Sequence, residues 1–315
     1  MTPAGPPLVS VPAAAKVSLM LSRRAFASGL LLAGLVAFTP ASAAQARVLY
    51  DKDSPFGPVI VTEEDGLRTL WFERGGARQS VIKLGDPAHL ELPYAATAFT
   101  GLAFAPQPSR VLVVGLGGGS LPMFLRNYYP EAVIDAVDIN PDVVKVAREF
   151  LGFKEDAKLR GIVADGRAFI EQTKEPYDLI FLDAFGADSV PTSLTTIEFL
   201  TAVSRALKPE GVVVGNIWAR AWNPLHDSMV RTYQEVFSEM FIIDVRGAGN
   251  RIVLALPRRA PLTAEQLATK AGAVGIAKKF RYDLAERVRQ GFNHATAKSS
   301  EGRVLRDAEF AKAKP

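Results

Sequence analysis

Residues 111–140, VLVVGLGGGSLPMFLRNYYPEAVIDAVDIN, constrain the fold more tightly than any other part of this 315-residue chain. They open with four apolar residues, 111–114, the pattern of a strand buried on both faces in a parallel sheet. A glycine-rich turn follows, Gly115-Leu116-Gly117-Gly118-Gly119. Residues 121–129 read as a helix, with Pro122 in the first turn, where its missing N–H costs no hydrogen bond. A second apolar strand over 133–137 ends at Asp138, which lies 138 − 115 = 23 residues past the first glycine. A strand, glycine loop, helix and strand closing on an acid form the usual frame of a nucleotide or nucleoside site. A carboxylate at that strand tip can accept hydrogen bonds from both hydroxyls of a ribose. G-x-G-G-G also occurs in plain turns, so the ligand has to be identified from the rest of the chain.

Strands and helices alternate from there. Helices are predicted over 142–151, 167–173, 194–207 and 226–240, and strands over 159–164, 177–182, 212–217, 241–245 and 252–256, the last two as a hairpin. Pro209-Glu210-Gly211 reads as the stop of the third of these helices. The expected class is α/β, a parallel sheet with helices on both faces. Upstream, 58–62, 67–73 and 79–83 read as three short strands joined by Glu64-Asp65-Gly66 and Gly75-Gly76, a small antiparallel cap. A helix over 92–104 links this cap to the core, broken by Pro106 and Pro108. Beyond Pro257, residues 263–290 read as one or two helices interrupted near Gly272 and Gly275, followed by a polar tail.

Three acids, Asp138, Asp165 and Asp183, stand at the carboxyl ends of successive strands, the edge at which open α/β sheets bind ligands. Asp165, directly before Gly166-Arg167, also has the sequence of a helix N-cap.

The N-terminus reads as a targeting segment. Ser22-Arg23-Arg24-Ala25-Phe26 is a twin-arginine pattern, residues 30–38 are an apolar core, and Ala41-Ser42-Ala43 and Ala44-Gln45-Ala46 are small-x-small cleavage sites. The expected organisation is a signal segment over 1–46, a β cap with linking helix over 47–105, a Rossmann-like catalytic domain over 106–257 and a helical extension over 258–315. Export through the twin-arginine machinery to the periplasm follows if the leader is used, and a cytoplasmic location if it is not. The leader holds Lys16, Arg23 and Arg24 and no acid, so the net charge falls from +4 to +4 − 3 = +1 on its removal. That balance gives no basic patch for nucleic acid. The chain has no cysteine, hence neither a disulfide framework nor a thiol nucleophile. His89, His226 and His294 form no ligand-spaced pair, so no metal is assigned.

Taken together these residues resemble the polyamine aminopropyltransferases, the spermidine synthase family, in its spermidine synthase-like branch on a class I methyltransferase-type fold. The resemblance covers roughly residues 50–257. It rests on Ser54-Pro55-Phe56-Gly57, Gly76-Ala77-Arg78-Gln79, the glycine loop, Asp138, Ala164-Asp165-Gly166, and Tyr177-Asp178-Leu179-Ile180-Phe181-Leu182-Asp183 with the residues that follow. It implies transfer of an aminopropyl group from decarboxylated S-adenosylmethionine to a polyamine such as putrescine. On the family pattern Asp183 accepts the amine's proton, Asp138 holds the ribose, and Asp165, with Gly166 beside it, takes the adenine amino group. Gly115, Gly117 and Gly118 let the backbone approach the nucleoside, Gln79 contacts the ligands from the cap, and Tyr94 faces the amine.

The chain departs from that pattern on the amine side. The family's glycine loop carries an aspartate where this chain has Gly118, and the polar pair expected after Tyr94 is Ala95-Ala96. Asp188 is the candidate to replace the lost acid. Two other functions stay open: an S-adenosylmethionine-dependent methyltransferase on the same fold, and a non-catalytic exported protein that binds a nucleoside or polyamine. A homodimer is left open as the assembly, and the sequence does not fix the oligomeric state. Export sits uneasily with a donor made in the cytoplasm.

Overall fold

The computed structural model describes residues 46–186 and 190–311. The expected leader up to residue 45, and Asp188, lie outside the described residues. The described residues begin with an antiparallel sheet of four strands in the order β1 (Arg47–Ser54), β2 (Gly57–Glu64), β3 (Leu67–Trp71) and β4 (Arg78–Lys83). One more strand is present than the three expected. β1 has the sequence RVLYDKDS and is exposed or half-buried along its length. An edge strand with so little buried surface carries no apolar alternation, and edge positions tolerate charge.

Helix α1 (Pro93–Ala98) leads into a 3-10 turn at Phe99–Ala103. The core sheet then runs through β5 (Arg110–Val114), α2 (Ser120–Tyr128), β6 (Val133–Asp138), α3 (Pro141–Glu149), β7 (Leu159–Val163), α4 (Gly166–Glu171) and β8 (Tyr177–Leu182). It continues with α5 (Ile197–Arg205), β9 (Leu207–Trp218), α6 (His226–Val236), β10 (Glu239–Asp244) and β11 (Asn250–Leu256). The C-terminal part adds α7 (Ala264–Lys278), α8 (Leu284–Gly291), β12 (Phe292–His294) and α9 (Asp307–Phe310).

The eight-stranded sheet has the order β12-β10-β11-β9-β8-β5-β6-β7. β5 pairs in parallel with β6 and β8, and the parallel set extends to β7 and β9. β11 pairs antiparallel with β9, and β10 antiparallel with β11 and β12. The α/β class and the antiparallel cap expected from the sequence are both present. Val111, Leu112 and Val113 are fully buried because apolar layers cover both faces of β5. Burial of such side chains stabilises by about 1.5–3 kcal/mol each.

Two local expectations are corrected. Pro209-Glu210-Gly211 does not end a helix outside the sheet but lies within β9, where pairing jumps from Tyr177–Leu207 to Leu179–Val212. The excess residues bulge out of the ladder, which is how a strand accommodates a proline without an N–H to donate. Gly272 and Gly275 do not interrupt α7. A Cβ at Gly272 would come within 3.0 Å of the Ala285 Cβ, so the missing side chain lets α8 pack closely. The break comes later, at Lys279, in the left-handed conformation (φ 56°).

The cap is fastened to the core through α3 and the loop before it. Val59, Val61 and Leu70 pack with Val143, Val146 and Leu151. Tyr50 Oη and Lys52 Nζ donate to Asp142 Oδ1 at 2.9 Å, and Asn140 Nδ2 donates to Ser54 Oγ at 2.9 Å. This docking places β4 over the glycine loop.

Candidate active site

A cavity of about 260 Å³ lies between the cap and the carboxyl edge of the parallel strands. Gly115, Gly117, Asp138, Asp165, Gly166, Asp183, Gln79 and Tyr94 all line it. Residues far apart in sequence meet here because β5, β6, β7 and β8 run in parallel and end together.

At the β5–β6 side, Asp138 grips the glycine loop itself. Its Oδ2 accepts from the N–H groups of Leu116 and Gly117 at 3.1 and 3.3 Å, and its Oδ1 from Asn140 N at 3.0 Å. Burial raises its pKa above the ordinary carboxylate value, and the three backbone donors oppose that rise. Asp165 is the N-cap of α4, accepting from Ala168 N at 2.9 Å, as its sequence context suggested, and is exposed to the cavity.

Gly115 is required where it stands. Its φ is +98°, and a Cβ there would come within 2.4 Å of the Asp183 carbonyl oxygen. The bare glycine lets the ends of β5 and β8 approach, which sets the position of Asp183.

Asp183 closes the other side. Its Oδ1 accepts from Asn216 Nδ2 at 2.8 Å and its Oδ2 from Tyr94 Oη at 3.2 Å. Asn216 Oδ1 in turn accepts from Asn250 Nδ2 at 3.0 Å. The chain Tyr94–Asp183–Asn216–Asn250 thus joins α1, the loop after β8, β9 and β11. Burial pushes the Asp183 carboxyl up to about 7, and the hydrogen bonds from Asn216 and Tyr94 pull the other way. Tyr94 is pushed well above the usual tyrosine range by its own burial and by the neighbouring carboxylate, so it stays protonated and serves as a donor.

Gly118 does not line the cavity. Its N–H donates to Ser80 Oγ on β4 at 2.9 Å. A Cβ at this position would come within 2.8 Å of the Ser80 Cβ and 3.3 Å of Ile82 Cγ1. Where the family pattern has an aspartate, this chain has closed the loop onto its cap. Gly118→Asp is therefore expected to lower stability by about 1–3 kcal/mol through overpacking. The Tm should fall, and a second change, Ser80→Gly, should recover part of it. A Tm equal to that of the unaltered protein would contradict the contact. Ala95 and Ala96 are buried in the core against the sheet and also stay outside the cavity.

Sequence reading missed several lining residues. Asn216 sits in a strand read only for its apolar pattern, and Asn250, expected in the turn before the last strand, is the first residue of β11. The amide that interrupts VVVGNIW was the available signal, since a polar residue in an all-apolar strand has to find a buried partner. Ser80, Phe56 and Phe72 reach the cavity only because the cap folds over it. Asp307, near the C-terminus, accepts from Arg167 at 2.7 and 2.6 Å and from the α5 N-cap Thr196 at 2.8 Å. It ties the segment after Gly166 to the one after Leu194, both of which border the cavity.

The strand order, the glycine loop under β4 and the acids along one edge define a class I methyltransferase-type fold with a ligand site at the carboxyl edge of its sheet. The sequence matches the Spermine/spermidine synthase domain over residues 96–246. The polyamine aminopropyltransferase of Vibrio vulnificus is 32% identical over 225 residues, spanning 69% of this chain and 75% of the relative. A probable spermidine synthase from Corynebacterium glutamicum superposes with a TM-score of 0.68 at 19% identity, over 82% of this chain and 96% of that one. Human methyltransferase-like protein 13, solved in complex with SAH, has a TM-score of 0.55 at 28% identity, over 60% of this chain and 93% of that one. The chain belongs to the spermine/spermidine synthase family of polyamine aminopropyltransferases.

Proposed function

We propose that this protein transfers an aminopropyl group from decarboxylated S-adenosylmethionine to an amine, with Asp183 as the proton acceptor. The observation that carries the reading is Asp183 itself. It is a cavity carboxylate fixed by Tyr94 and Asn216, with a proton affinity near neutrality. A base with a pKa near the working pH combines a useful deprotonated fraction with enough driving force to take a proton.

In this reading the amine's lone pair attacks the aminopropyl carbon bonded to the sulfonium. The new C–N bond forms as the C–S bond breaks, and the bonding pair passes to sulfur, which leaves as a neutral thioether. The lone pair is freed beforehand by transfer of one ammonium proton to Asp183, and the product leaves as a secondary ammonium. Asp138 would take the ribose hydroxyls while keeping its hold on the loop, and Asp165 would face the adenine. Fixing both reactants supplies much of the rate enhancement, because the displacement needs in-line geometry.

A second reading is methyl transfer from S-adenosylmethionine to the same amine. Gly118 favours it, since the loop acid expected to grip the donor's free amine is missing. So does the likeness to human methyltransferase-like protein 13. Incubation with each donor and an amine, followed by mass spectrometry, separates the two. A product heavier by one aminopropyl unit supports the first, and one heavier by a methyl group the second.

A further inference from the structure

The end of the cavity around Asp165 has two walls. Asp165 and Gly166, at the start of α4, form one. Pro191, Ser193 and Leu194, around the 3-10 turn Thr192–Leu194, form the other. Arg167, in the first turn of α4, reaches both. Its Nη1 donates to the Ser193 carbonyl at 3.3 Å, and its Nε to Glu171 Oε1 on its own helix at 2.8 Å. So long a side chain keeps one geometry only if its head is fixed, because its rotamer freedom is large. Asp307 fixes it with a bidentate pair, Nη1 to Oδ1 at 2.7 Å and Nη2 to Oδ2 at 2.6 Å, the fork geometry in which arginine holds a carboxylate best. The same Oδ1 accepts from Thr196 Oγ1, the N-cap of α5, at 2.8 Å. One carboxylate thus holds the first turn of α4, the head of α5 and, through Arg167, the turn between them.

Asp307 is itself placed by contacts that do not involve Arg167. Leu305 is fully buried, its N–H donates to Thr232 Oγ1 at 3.0 Å, and its carbonyl accepts from Ile197 N at 2.9 Å. Asp307 N donates to Glu198 Oε2 at 3.1 Å, and Phe310 packs on the same core layer as Leu305. The C-terminal segment is therefore a strap anchored on α5 and α6. Asp307 does not line the cavity. The hydrogen bond from Arg167 holds its carboxyl below the ordinary value, so it stays charged while Asp183 ionises near 7.

We propose that Asp307 is a positioning residue for the nucleoside: by aiming Arg167 it sets the spacing of the two walls that enclose the base, and the C-terminal strap governs donor binding without touching the donor. The proposal rests on the placement of the base beside Asp165. Aminopropyl and methyl transfer share that placement, so the identity of the transferred group does not enter.

The test uses the full chain with 5′-methylthioadenosine and S-adenosylhomocysteine. Calorimetry reads the affinity and the binding-competent fraction separately. Asp307→Asn keeps the shape and can still accept from Thr196, but it loses the charged pair with Arg167. It should weaken nucleoside binding about three- to thirtyfold, the range for a coupling residue outside the site. The KM for decarboxylated S-adenosylmethionine should rise in step, while kcat and the KM for the amine stay within about twofold. The rise of activity through pH 7 should be unchanged. Arg167→Ala should give the same loss, and the double variant no more than either single change, because one contact is being removed. Asp307→Glu, which keeps the charge, should recover part of the affinity. Unchanged affinity in Asp307→Asn, with only a lower competent fraction or a lower Tm, would overturn the proposal and leave Asp307 a structural tie. An equal rise in the KM for the amine would overturn it too. Nucleoside binding that depends on Asp307, in a protein that transfers nothing to any amine, removes the transfer reading and keeps the positioning role. Binding of neither nucleoside by the unaltered protein removes both.

Discussion

Asp183→Asn is expected to lower turnover by about 10²–10⁴-fold, the usual contribution of a positioned base, while nucleoside affinity changes little. Asparagine matches aspartate in shape. It can still accept from Asn216, and it can donate to Tyr94 Oη with the sense of that bond reversed. What it cannot do is take a proton. In the unaltered protein, activity should rise with pH through about 7 as Asp183 ionises, and the residual activity of the variant should lack that limb. Turnover near the unaltered level would remove Asp183 from the role.

The same group makes an opposite prediction for stability. The folded pKa of about 7 lies above the unfolded value of about 3.9. Between those values the folded chain binds more protons than the unfolded chain, so stability falls as pH rises through the window. The burial cost is absent below it and complete above it. Asp183→Asn removes the charge, so the variant should be more stable than the unaltered protein at pH 8, on the order of 1–3 kcal/mol. The difference should shrink towards pH 5. A variant less stable at pH 8 would mean that the carboxylate is not held against its ionisation. Gain in stability with loss of turnover is the pattern expected of a group kept strained for function.

Gly115→Ala should be strongly damaging for the addition of a single methyl. The position needs φ = +98°, and the added carbon would lie 2.4 Å from the Asp183 carbonyl oxygen and 2.8 Å from Ala184 N. Backbone strain of about 1–3 kcal/mol adds to an overpacking cost of similar size. Neither neighbour is a flexible side-chain end, so relief has to come from parting β5 from β8. That movement would also shift Asp183 away from Tyr94 and Asn216. Expected results are a large fall in Tm and loss of turnover in whatever fraction still folds. Wild-type Tm with full activity would contradict the close approach.

The parts of the molecule readable from sequence share one property: their signal is local. Strand β5, the glycine loop, β6 and Asp138 declare themselves by apolar runs and by glycines, and parallel pairing then brings Asp165 and Asp183 to the same edge. Strand β1 left no signal, because RVLYDKDS lies on an edge with few buried positions. Gly118 read as part of a ligand loop. Only the docking of β4, a contact across 38 residues of sequence, turns it towards Ser80. Ala95 and Ala96 read as lost polar contacts and are core positions. Asn216 was hidden within an apolar strand and Asn250 within a hairpin turn, because their meeting depends on pairing between β9 and β11. Gly272 and Gly275 read as helix breakers, although the space they leave is filled by α8 and the helix runs through them.

The central claim is tested most directly by supplying the full-length protein with decarboxylated S-adenosylmethionine and a panel of amines at pH 8 and weighing the products. The account predicts an amine heavier by one aminopropyl unit together with 5′-methylthioadenosine in equal amount, and neither product with Asp183→Asn. A methylated amine formed from S-adenosylmethionine, or bound donor that remains intact with every amine, would contradict it.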